Sequence, residues 1–284
     1  MSKTLSFHKM EGLGNDFIVT GDVSAEETEQ IRGSFEALCH RRTGIGADGV
    51  ILVLPSQTAD FTMRIFNSDG SEAEMCGNGI RCFAKYLQMH NLTPLQEVKI
   101  QTLAGTIMVS PTSNDCYRVN MGKPVLDPSL IPLNTELIGQ TKDPFMMREV
   151  KCDDKTFKIS ALSMGNPHAV LYTENLTDQL VNHYGPILES HGIFPRKTNV
   201  EFIKVLSDNE IQMRVYERGC GETQACGTGA CAAAVSGVIN KMHGKKVTVH
   251  LLGGDLHIEW QGEETDPVFM TGPAKEVFRG SVKI

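Results

Sequence analysis

The length and charge of the chain already exclude several classes of protein. Its 284 residues are enough for two domains with cores of their own, and a net charge of −7 with a pI near 5.7 argues against nucleic acid or an anionic membrane as the main partner. The first residues lack the apolar core of a signal peptide, and no segment approaches the ~20 apolar residues of a spanning helix. We therefore expect a cytoplasmic protein that binds neither nucleic acid nor membranes.

The first half of the chain is predicted to alternate short strands with helices. A Gly-rich turn at residues 12–16 leads into a strand, and Ser24 stands at the N-cap of a helix whose apolar residues recur as far as Cys39. The remaining predictions for this half are strands at 50–54 and 61–66, a helix at 79–89, and strands at 98–102, 106–109 and 117–121.

The second half replays this order after a Pro-rich passage at residues 123–132. Gly165-Asn166 corresponds to Gly14-Asn15, and a short helix is expected around residues 185–191. A second helix, predicted at residues 229–241, is small or apolar on every side for most of its length, which is typical of a helix buried all round.

These patterns predict an α/β fold of two pseudo-symmetric halves, each a strand layer around a central helix. Residues 1–122, together with a strand-like tail at 273–284, are expected to form the N-terminal half. Residues 123–272 are expected to form the C-terminal half.

One stretch occurs in both halves without a gap, at residues 63–79 and 213–229, so that Cys76 and Cys226 lie 150 positions apart. Each copy predicts a strand, a polar loop and then a Cys-Gly-x-Gly motif that opens a helix. Two pairs of matched charged residues are not predicted to belong to the site. Arg64 and Arg214 could equally form structural ion pairs, and Glu72 and Glu222 are interpreted as loop caps.

The eight cysteines do not form a pattern typical of disulfides or of metal binding. They contain no CxxC pair, and thiols in a cytosolic protein stay reduced. Cys82 and Cys231 fall within apolar helix patterns and are predicted to be buried. No metal site is expected.

The chemistry of Cys76 and Cys226 follows from their predicted position at the start of a helix. Backbone N–H groups there have no partner within the helix, and the helix dipole adds partial positive charge. This field favours a bound carboxylate and lowers the pKa of a cysteine from its usual ~8.5. Two such motifs could hold one carboxylate with a thiol on each side, which suits removal and return of the α-proton of an amino acid without a cofactor.

Several further motifs accompany the cysteines in a fixed order. They are Gly12-Leu13-Gly14-Asn15-Asp16-Phe17, Phe66-Asn67-Ser68-Asp69-Gly70-Ser71, Met164-Gly165-Asn166-Pro167-His168, Thr198-Asn199-Val200, Glu217-Arg218-Gly219 and Gly221-Glu222-Thr223. With the two cysteine motifs, they closely resemble the diaminopimelate epimerase family from end to end. The resemblance implies cofactor-independent interconversion of LL- and meso-2,6-diaminopimelate, on the route to lysine and peptidoglycan. It also implies two barrel-like halves around central helices, with the active site in the cleft between them.

The resemblance also implies roles for individual residues. Cys76 and Cys226 would be the two catalytic acid/bases, and His168 and Glu217 would lie beside the thiols and tune them. Arg218 would pair with the distal carboxylate of the substrate. The residues implied to bind the substrate are Asn15, Asn67, Gly77, Asn78, Asn166, Asn199, Glu217, Arg218, Gly227 and Thr228.

Two positions depart from the family pattern. Some members carry Gln where this chain has Gly49, so that a contact to the substrate is either missing or supplied by another group. Cys220 adds a thiol beside the implied site, where the family tends to have a small or aliphatic residue. Whether the chain forms a homodimer is left open.

Other functions remain as alternatives. Proline racemases and hydroxyproline epimerases share the fold and a cysteine pair, but they tend to have His where this chain has Asn78. The phenazine-biosynthesis isomerase type lacks the paired cysteines. From a different class, the reactive cysteines could serve a thiol redox sensor or a zinc carrier.

Overall fold

The computed structural model describes residues 3–94, 97–139 and 141–284, and the chain divides into two compact units. The first unit contains the chain up to Asn120 together with Thr271–Ile284, and the second unit is Met121–Met270.

The first unit is built mainly of strands. Numbered in chain order, they are β1 (Thr4–Gly12), β2 (Asn15–Thr20), β3 (Gly49–Pro55), β4 (Phe61–Asn67), β5 (Glu72–Ala73), β6 (Val98–Thr102), β7 (Gly105–Pro111) and β8 (Cys116–Asn120), with the C-terminal β18 (Lys275–Lys283). The pairs β1–β2, β3–β4, β4–β5, β6–β7 and β7–β8 are antiparallel, whereas β2–β3 and β4–β6 are parallel. The strand-like tail forms β18, which runs antiparallel to β1 along most of its length.

The second unit repeats this arrangement. Its strands are β9 (Arg148–Cys152), β10 (Lys155–Ser163), β11 (Pro167–Tyr172), β12 (Asn199–Ser207), β13 (Glu210–Glu217), β14 (Gly221–Thr223), β15 (Lys246–Leu251) and β16 (Gly254–Glu259), and the boundary between the units falls within β17 (Phe269–Pro273). The pairs β10–β11, β12–β13, β13–β14 and β15–β16 are antiparallel, and β11–β12 and β13–β15 are parallel, so that β10 to β16 reproduce the pairings of β1 to β7. Here β9 flanks β10 as β18 flanks β1. The duplication predicted from the sequence is therefore present in the strand pairing.

A long helix packs against several strands in each unit. In the first unit α3 (Gly77–Met89) contacts β1, β2, β3, β4, β7 and β8, and in the second α6 (Gly227–Ile239) contacts β10, β11, β12, β15 and β16. The residues from Ala230 to Val235 are almost completely buried, which confirms the prediction of a helix surrounded on all sides.

The shorter helices differ in part from the prediction. Ser24 caps α1 (Ala25–Ile31) through a reciprocal capping box with Glu27, as expected. The prediction of one continuous helix is wrong, because a 3₁₀ turn at Arg32–Ser34 separates α1 from α2 (Phe35–Cys39). The turn contains Gly33, which disfavours helix, and the Ser34 hydroxyl donates a hydrogen bond of 2.6 Å to the Ile31 carbonyl.

The second unit has two further helices, α4 (Thr135–Ile138) and α5 (Asp178–Glu189). Helix α5 is longer than the helix predicted around residues 185–191, because it begins at Asp178. The preceding Thr177 is its N-cap, whose side chain accepts a hydrogen bond from the Leu180 N–H at 3.1 Å. Among the described residues, no helix combines the length and the apolar character needed to cross a bilayer.

Matched ion pairs fix the strand that leads into each cysteine loop. Arg64 donates to both carboxylate oxygens of Glu72 at 2.7 and 2.9 Å, and Arg214 donates to Glu222 at 2.6 and 2.8 Å. The arginines are therefore structural ion-pair partners. The glutamates tie β5 and β14 to the preceding strands. The interpretation of Glu72 and Glu222 as loop caps is therefore wrong.

Candidate active site

Cys76 occupies the N-cap of α3 with an extended backbone (φ −139°, ψ 121°). Its half-buried sulfur accepts a hydrogen bond from the Gly79 N–H at 3.5 Å and lies 3.5 Å from the Asn15 side-chain oxygen, to which the thiol donates. The prediction that the first Cys-Gly-x-Gly motif opens a helix is thus confirmed. One of the N–H groups that have no partner within the helix therefore donates to the sulfur.

Asn15 lies beside this cysteine because its side chain is held at both ends. Its Nδ2 donates to Asp48 Oδ2 at 2.7 Å, and its Oδ1 accepts from Asn78 Nδ2 at 3.3 Å. The structure therefore brings three predicted site residues, Asn15, Cys76 and Asn78, into one hydrogen-bonded group.

A cluster of charges supports Asn15 from the adjoining turn. Arg41 donates to Asp16 at 2.8 and 3.1 Å and to Asp48 at 2.6 Å, and the Lys9 ammonium lies 2.5 Å from Asp16. Burial by itself would raise the pKa of Asp16, but the hydrogen bonds from Arg41 and Lys9 outweigh it and bring the pKa down to about 2. Asp16 therefore stays ionised in the folded protein at pH values where an unfolded chain would protonate it.

We expect this cluster to make the folded state sensitive to acid. Because the pKa of Asp16 is lowered on folding, its contribution to stability is complete above pH 3.8 and is lost as the pH falls from there towards about 2. Thermal unfolding measured from pH 5 to pH 2 should show a steeper loss of Tm in the wild type than in Asp16→Asn. Parallel curves for the two proteins would contradict this role.

Arg81 is a functional candidate that the sequence analysis missed. Its side chain is fully buried in α3, where its guanidinium donates to the Gly77 carbonyl and to Asn78 Oδ1, each at 2.9 Å, and to the Pro273 carbonyl at 3.0 Å. Burial lowers the pKa of this guanidinium, and the sulfur of Cys76 is close enough to interact with its charge. The available signal was an arginine two residues after the Cys-Gly-x-Gly motif, at the position where the second copy has Cys231.

Asn67 lies at the end of β4, opposite Gly49 in the ladder. Its Nδ2 donates to the Ser71 hydroxyl at 2.9 Å within an exposed turn. Asn67 thus ends a strand close to Asp48, whose carbonyl accepts a hydrogen bond from the backbone N–H of the next residue, Ser68.

Cys226 occupies the corresponding N-cap of α6 (φ −128°, ψ 112°) and is buried. Its sulfur lies 3.5 Å from the Thr228 hydroxyl. Burial, followed by the negative charges of Glu217 and Glu201, raises the pKa of this thiol well above its usual value. The prediction of a lowered pKa at this helix start is therefore wrong, because desolvation of the thiolate outweighs the field of the helix.

His168 is held by both of its ring nitrogens. Nδ1 lies 2.7 Å from Glu201 Oε1, and Nε2 lies 2.9 Å from Asn166 Oδ1. The side chains of His168 and Glu201 are both completely buried. Glu201 was missed by sequence reasoning, because a glutamate in the apolar run of β12 carries no motif of its own.

The remaining predicted residues of the second unit lie at the ends of β12 and β13. The buried Asn199 amide donates to the Pro167 carbonyl at 3.0 Å and accepts from the Arg218 backbone N–H at 2.9 Å, so that it organises the loop that presents Arg218. The side chain of Arg218 is exposed. Glu217 accepts a hydrogen bond from the Thr223 hydroxyl at 2.5 Å.

The second glycine of each cysteine motif provides room for the sheet below the helix. A Cβ on Gly229 would lie 2.8 Å from Glu201 Oε1 and 3.2 Å from Met213 Cε. A Cβ on Gly79 would meet the methyl ends of Ile51 and Ile65 at 3.1 and 3.2 Å. These glycines are therefore required for close packing of the helix, in addition to any approach to an anion.

We expect Gly229→Ala to lower the free energy of unfolding by about 1–3 kcal/mol, because the added methyl group overpacks a site pinned by a hydrogen-bonded carboxyl group. Denaturant unfolding would measure the change. Gly33→Ala is the matched control, since a Cβ there meets nothing within 4 Å and should be neutral or stabilising. Equal stabilities for the two variants would contradict the packing role.

Comparison with known proteins gives the family. The family model described as diaminopimelate epimerase matches residues 7–126 and 160–277. The chain belongs to the diaminopimelate epimerase family. A diaminopimelate epimerase from Moorella thermoacetica is 49% identical over 280 residues, which cover 97% of this chain and 98% of the relative.

Solved structures show that the diaminopimelate epimerase fold is shared more widely. A protein of the PhzF phenazine-biosynthesis family from Bacillus anthracis has a TM-score of 0.69 at 19% identity, covering 99% of this chain and 100% of its own. A hydroxyproline epimerase from Agrobacterium vitis has a TM-score of 0.69 at 15% identity, covering 99% and 93%. At these identities the likeness shows the fold alone, which is the fold of two similar halves predicted above.

Among the described residues, Asp153, Asp154 and His183 form an exposed group of potential metal ligands, which contains neither cysteine. Its members already pair with protein groups, since Asp154 accepts from the Tyr184 hydroxyl at 2.6 Å and His183 lies 3.2 Å from Asp153.

Proposed function

We propose that this chain epimerises LL-2,6-diaminopimelate to the meso isomer by a cofactor-independent reaction in which Cys76 and Cys226 are the two acid/base groups. The observation that carries the proposal is that each copy of the duplicated motif places its cysteine at the N-cap of a helix, in a chain of the diaminopimelate epimerase family. Inversion of an α-carbon needs one group that removes a proton and another that returns a proton to the opposite face. Two thiols of opposite protonation state meet that need.

The step is a balanced proton transfer. The thiolate of one cysteine takes the α-proton, and the electron pair left on the α-carbon is delocalised into the carboxylate. The thiol of the other cysteine then donates its proton to that carbon, so that the two sulfurs exchange states. The pair would titrate as a coupled system, because turnover requires one thiol and one thiolate.

Backbone N–H groups at the two helix starts would stabilise the developing charge. Gly77 with Asn78, and Gly227 with Thr228, would hold the reacting carboxylate, and each preorganised donor of this kind contributes on the order of 3 kcal/mol to a transition state. Arg218 would bind the distal carboxylate. The proposed polar lining consists of Asn15, Asn67, Asn166, Asn199 and Glu217, with His168 and Glu217 acting on the thiols.

Exchange of the α-proton with solvent tests the proposal directly. In D₂O, LL-diaminopimelate incubated with the protein should gain deuterium at one α-carbon while meso isomer accumulates, followed by NMR and chiral chromatography. trans-4-Hydroxy-L-proline serves as the comparison substrate, because proteins of the same fold include a hydroxyproline epimerase. Deuterium gain and inversion of hydroxyproline in place of diaminopimelate would overturn the proposal.

A cytoplasmic location and a homodimeric state are further proposals from the family resemblance. Cell fractionation tests the first. Light scattering tests the second, since one chain has a mass of 31.2 kDa.

A further inference from the structure

The buried pair of His168 and Glu201 has no counterpart in the first unit. The parallel ladders align Phe17 with Gly49 and His168 with Asn199, so that His168 takes the place of Phe17. Glu201 follows Asn199 by two residues, as Ile51 follows Gly49. Phe17 and Ile51 are buried core residues, and the first unit therefore builds this layer of the fold from apolar side chains alone.

Stability does not explain why the second unit carries a polar pair there. Removing a charge from water costs several kcal/mol, and apolar residues of similar volume are often as stable or more stable in its place. Glu201 Oε1 is matched to His168 at 2.7 Å, but Glu201 Oε2 is buried and accepts no hydrogen bond from the described part of the chain. An orphaned acceptor of this kind is a cost to folding.

The carboxyl group lies directly beneath the start of α6. Glu201 Oε1 and Cys226 Cβ lie 2.8 and 3.3 Å from the same point, the place where a Cβ on Gly229 would stand. The glycine thus opens the space that brings the carboxyl group up to the cysteine. In the first unit the equivalent space beside Gly79 is filled by Ile51.

We propose that Glu201 is a positioning residue for the epimerase reaction, which fixes the His168 ring through Nδ1 and places a carboxylate beside Cys226. The inference rests on the proposed function. A ring bonded at both nitrogens keeps one orientation, as second-layer carboxylates achieve for histidines elsewhere. Burial raises the pKa of Glu201, and its contact with His168 opposes that rise. In its ionised form this carboxylate favours the thiol form of Cys226, so that Cys226 is held as a proton donor.

The titratable groups of this cluster come from three elements. Glu201 lies on β12, Glu217 ends β13, and His168 on β11 contacts Glu201. Burial is the largest cause of the raised pKa of Cys226, and the two glutamates add to it in the same direction. Removing the charge of Glu201 should therefore lower the pKa of the thiol while Glu217 still acts.

The pH dependence of kcat/KM separates this role from a structural one. Glu201→Gln keeps the volume but loses the charge, and we expect the alkaline limb to move to lower pH by about 1 unit and kcat to fall by roughly 10–100-fold. Glu201→Asp keeps the charge but moves it away from Nδ1 of His168. We expect a similar fall in kcat, with the alkaline limb of the kcat/KM profile unchanged. An unmoved limb in Glu201→Gln would overturn the proposal.

Glu222→Gln is the matched control, because it removes a carboxylate of the same unit that engages Arg214. It should change the melting temperature without moving the limb. If Glu201→Gln and Glu222→Gln behave alike in both kcat and pH profile, Glu201 is merely structural and the proposal fails.

A double variant keeps the test decisive if the single variants fold poorly. His168→Phe with Glu201→Ile installs the residues of the first unit, and it should fold with a Tm at or above that of the wild type while losing activity. Failure of this double variant to fold would show that the pair serves folding, and would overturn the proposal.

Alkylation gives a readout that does not depend on turnover. The rate of iodoacetamide modification of Cys226, followed by peptide mass spectrometry against pH, should shift to lower pH in Glu201→Gln. If the wild type is inactive, the proposed epimerisation is refuted. The shift in alkylation would still test whether the carboxylate of Glu201 acts on Cys226. An active wild type with no shift would refute only the role of Glu201.

Discussion

Cys76→Ala and Cys226→Ala are each expected to abolish epimerisation of diaminopimelate while the protein stays folded. Each change removes one of the two proton-transfer groups, and positioned acid/base groups contribute roughly 10²–10⁴-fold to rates. Formation of meso isomer from the LL isomer, measured by chiral chromatography, would show the loss. Circular dichroism would show that both variants fold.

Cys220→Ala is the control for general effects of losing a thiol, since Cys220 is the exposed cysteine of the same unit as Cys226. It should retain turnover. Near-normal turnover by either Cys76→Ala or Cys226→Ala would refute the two-thiol mechanism, whatever the control shows.

Arg218→Ala is expected to raise KM by roughly 10–100-fold, because a charge-assisted hydrogen bond to a carboxylate contributes about 1.5–3 kcal/mol. Steady-state kinetics over a wide range of diaminopimelate concentration would measure it. Within the part of the chain that the structure describes, the exposed guanidinium donates one hydrogen bond, a long one of 3.4 Å to the Arg196 carbonyl, so that the fold should be little affected.

Arg218→Lys tests whether the planar fork or the charge alone is needed. An intermediate KM would support a two-point contact with the carboxylate, because lysine offers a single point charge. If the KM of Arg218→Ala matches that of the wild type, the distal carboxylate binds elsewhere.

The fold could largely be predicted because its sequence pattern occurs twice in the chain. The gapless match of residues 63–79 with 213–229 indicated a duplication, and the repeated strand pairings of β1 to β7 and β10 to β16 confirm it. The break between α1 and α2 was missed because apolar spacing continues through Gly33 and Ser34 to Cys39. Spacing shows which face is buried, but it does not show where the hydrogen bonds of the backbone change.

Some of the residues predicted for the site come together in the structure, whereas two buried charged residues near them were not predicted. Cys76, Asn15 and Asn78 meet as one group, and His168 with Asn166 forms another. Arg81 and Glu201 were missed although each stands two residues after a motif position, Gly79 and Asn199, because the sequence does not show that a single charged side chain is buried. Only the folded chain shows that the Arg81 side chain bonds to the first turn of α3 and that Glu201 lies close to the start of α6.

The two cysteines also differ more than their motifs suggest. Identical spacing predicted the same helix field at both cysteines, yet the buried Arg81 guanidinium bonds to Gly77 and Asn78 next to Cys76, whereas the buried Glu201 and the half-buried Glu217 raise the pKa of Cys226. A helix start supplies the same field to both, so that the difference comes from residues at matched but unlike positions, Arg81 against Cys231 and Glu201 against Ile51.

The pairing of β18 with β1 has a consequence for biosynthesis. When residue 270 leaves the ribosome, every residue of the second unit has been made, whereas the N-terminal strand of the first unit still lacks its neighbour. The later-made unit can therefore complete itself first, against the usual order of co-translational folding. Until the last segment arrives, β1 has an unpaired edge, which leaves the nascent chain open to pairing with strands of other chains.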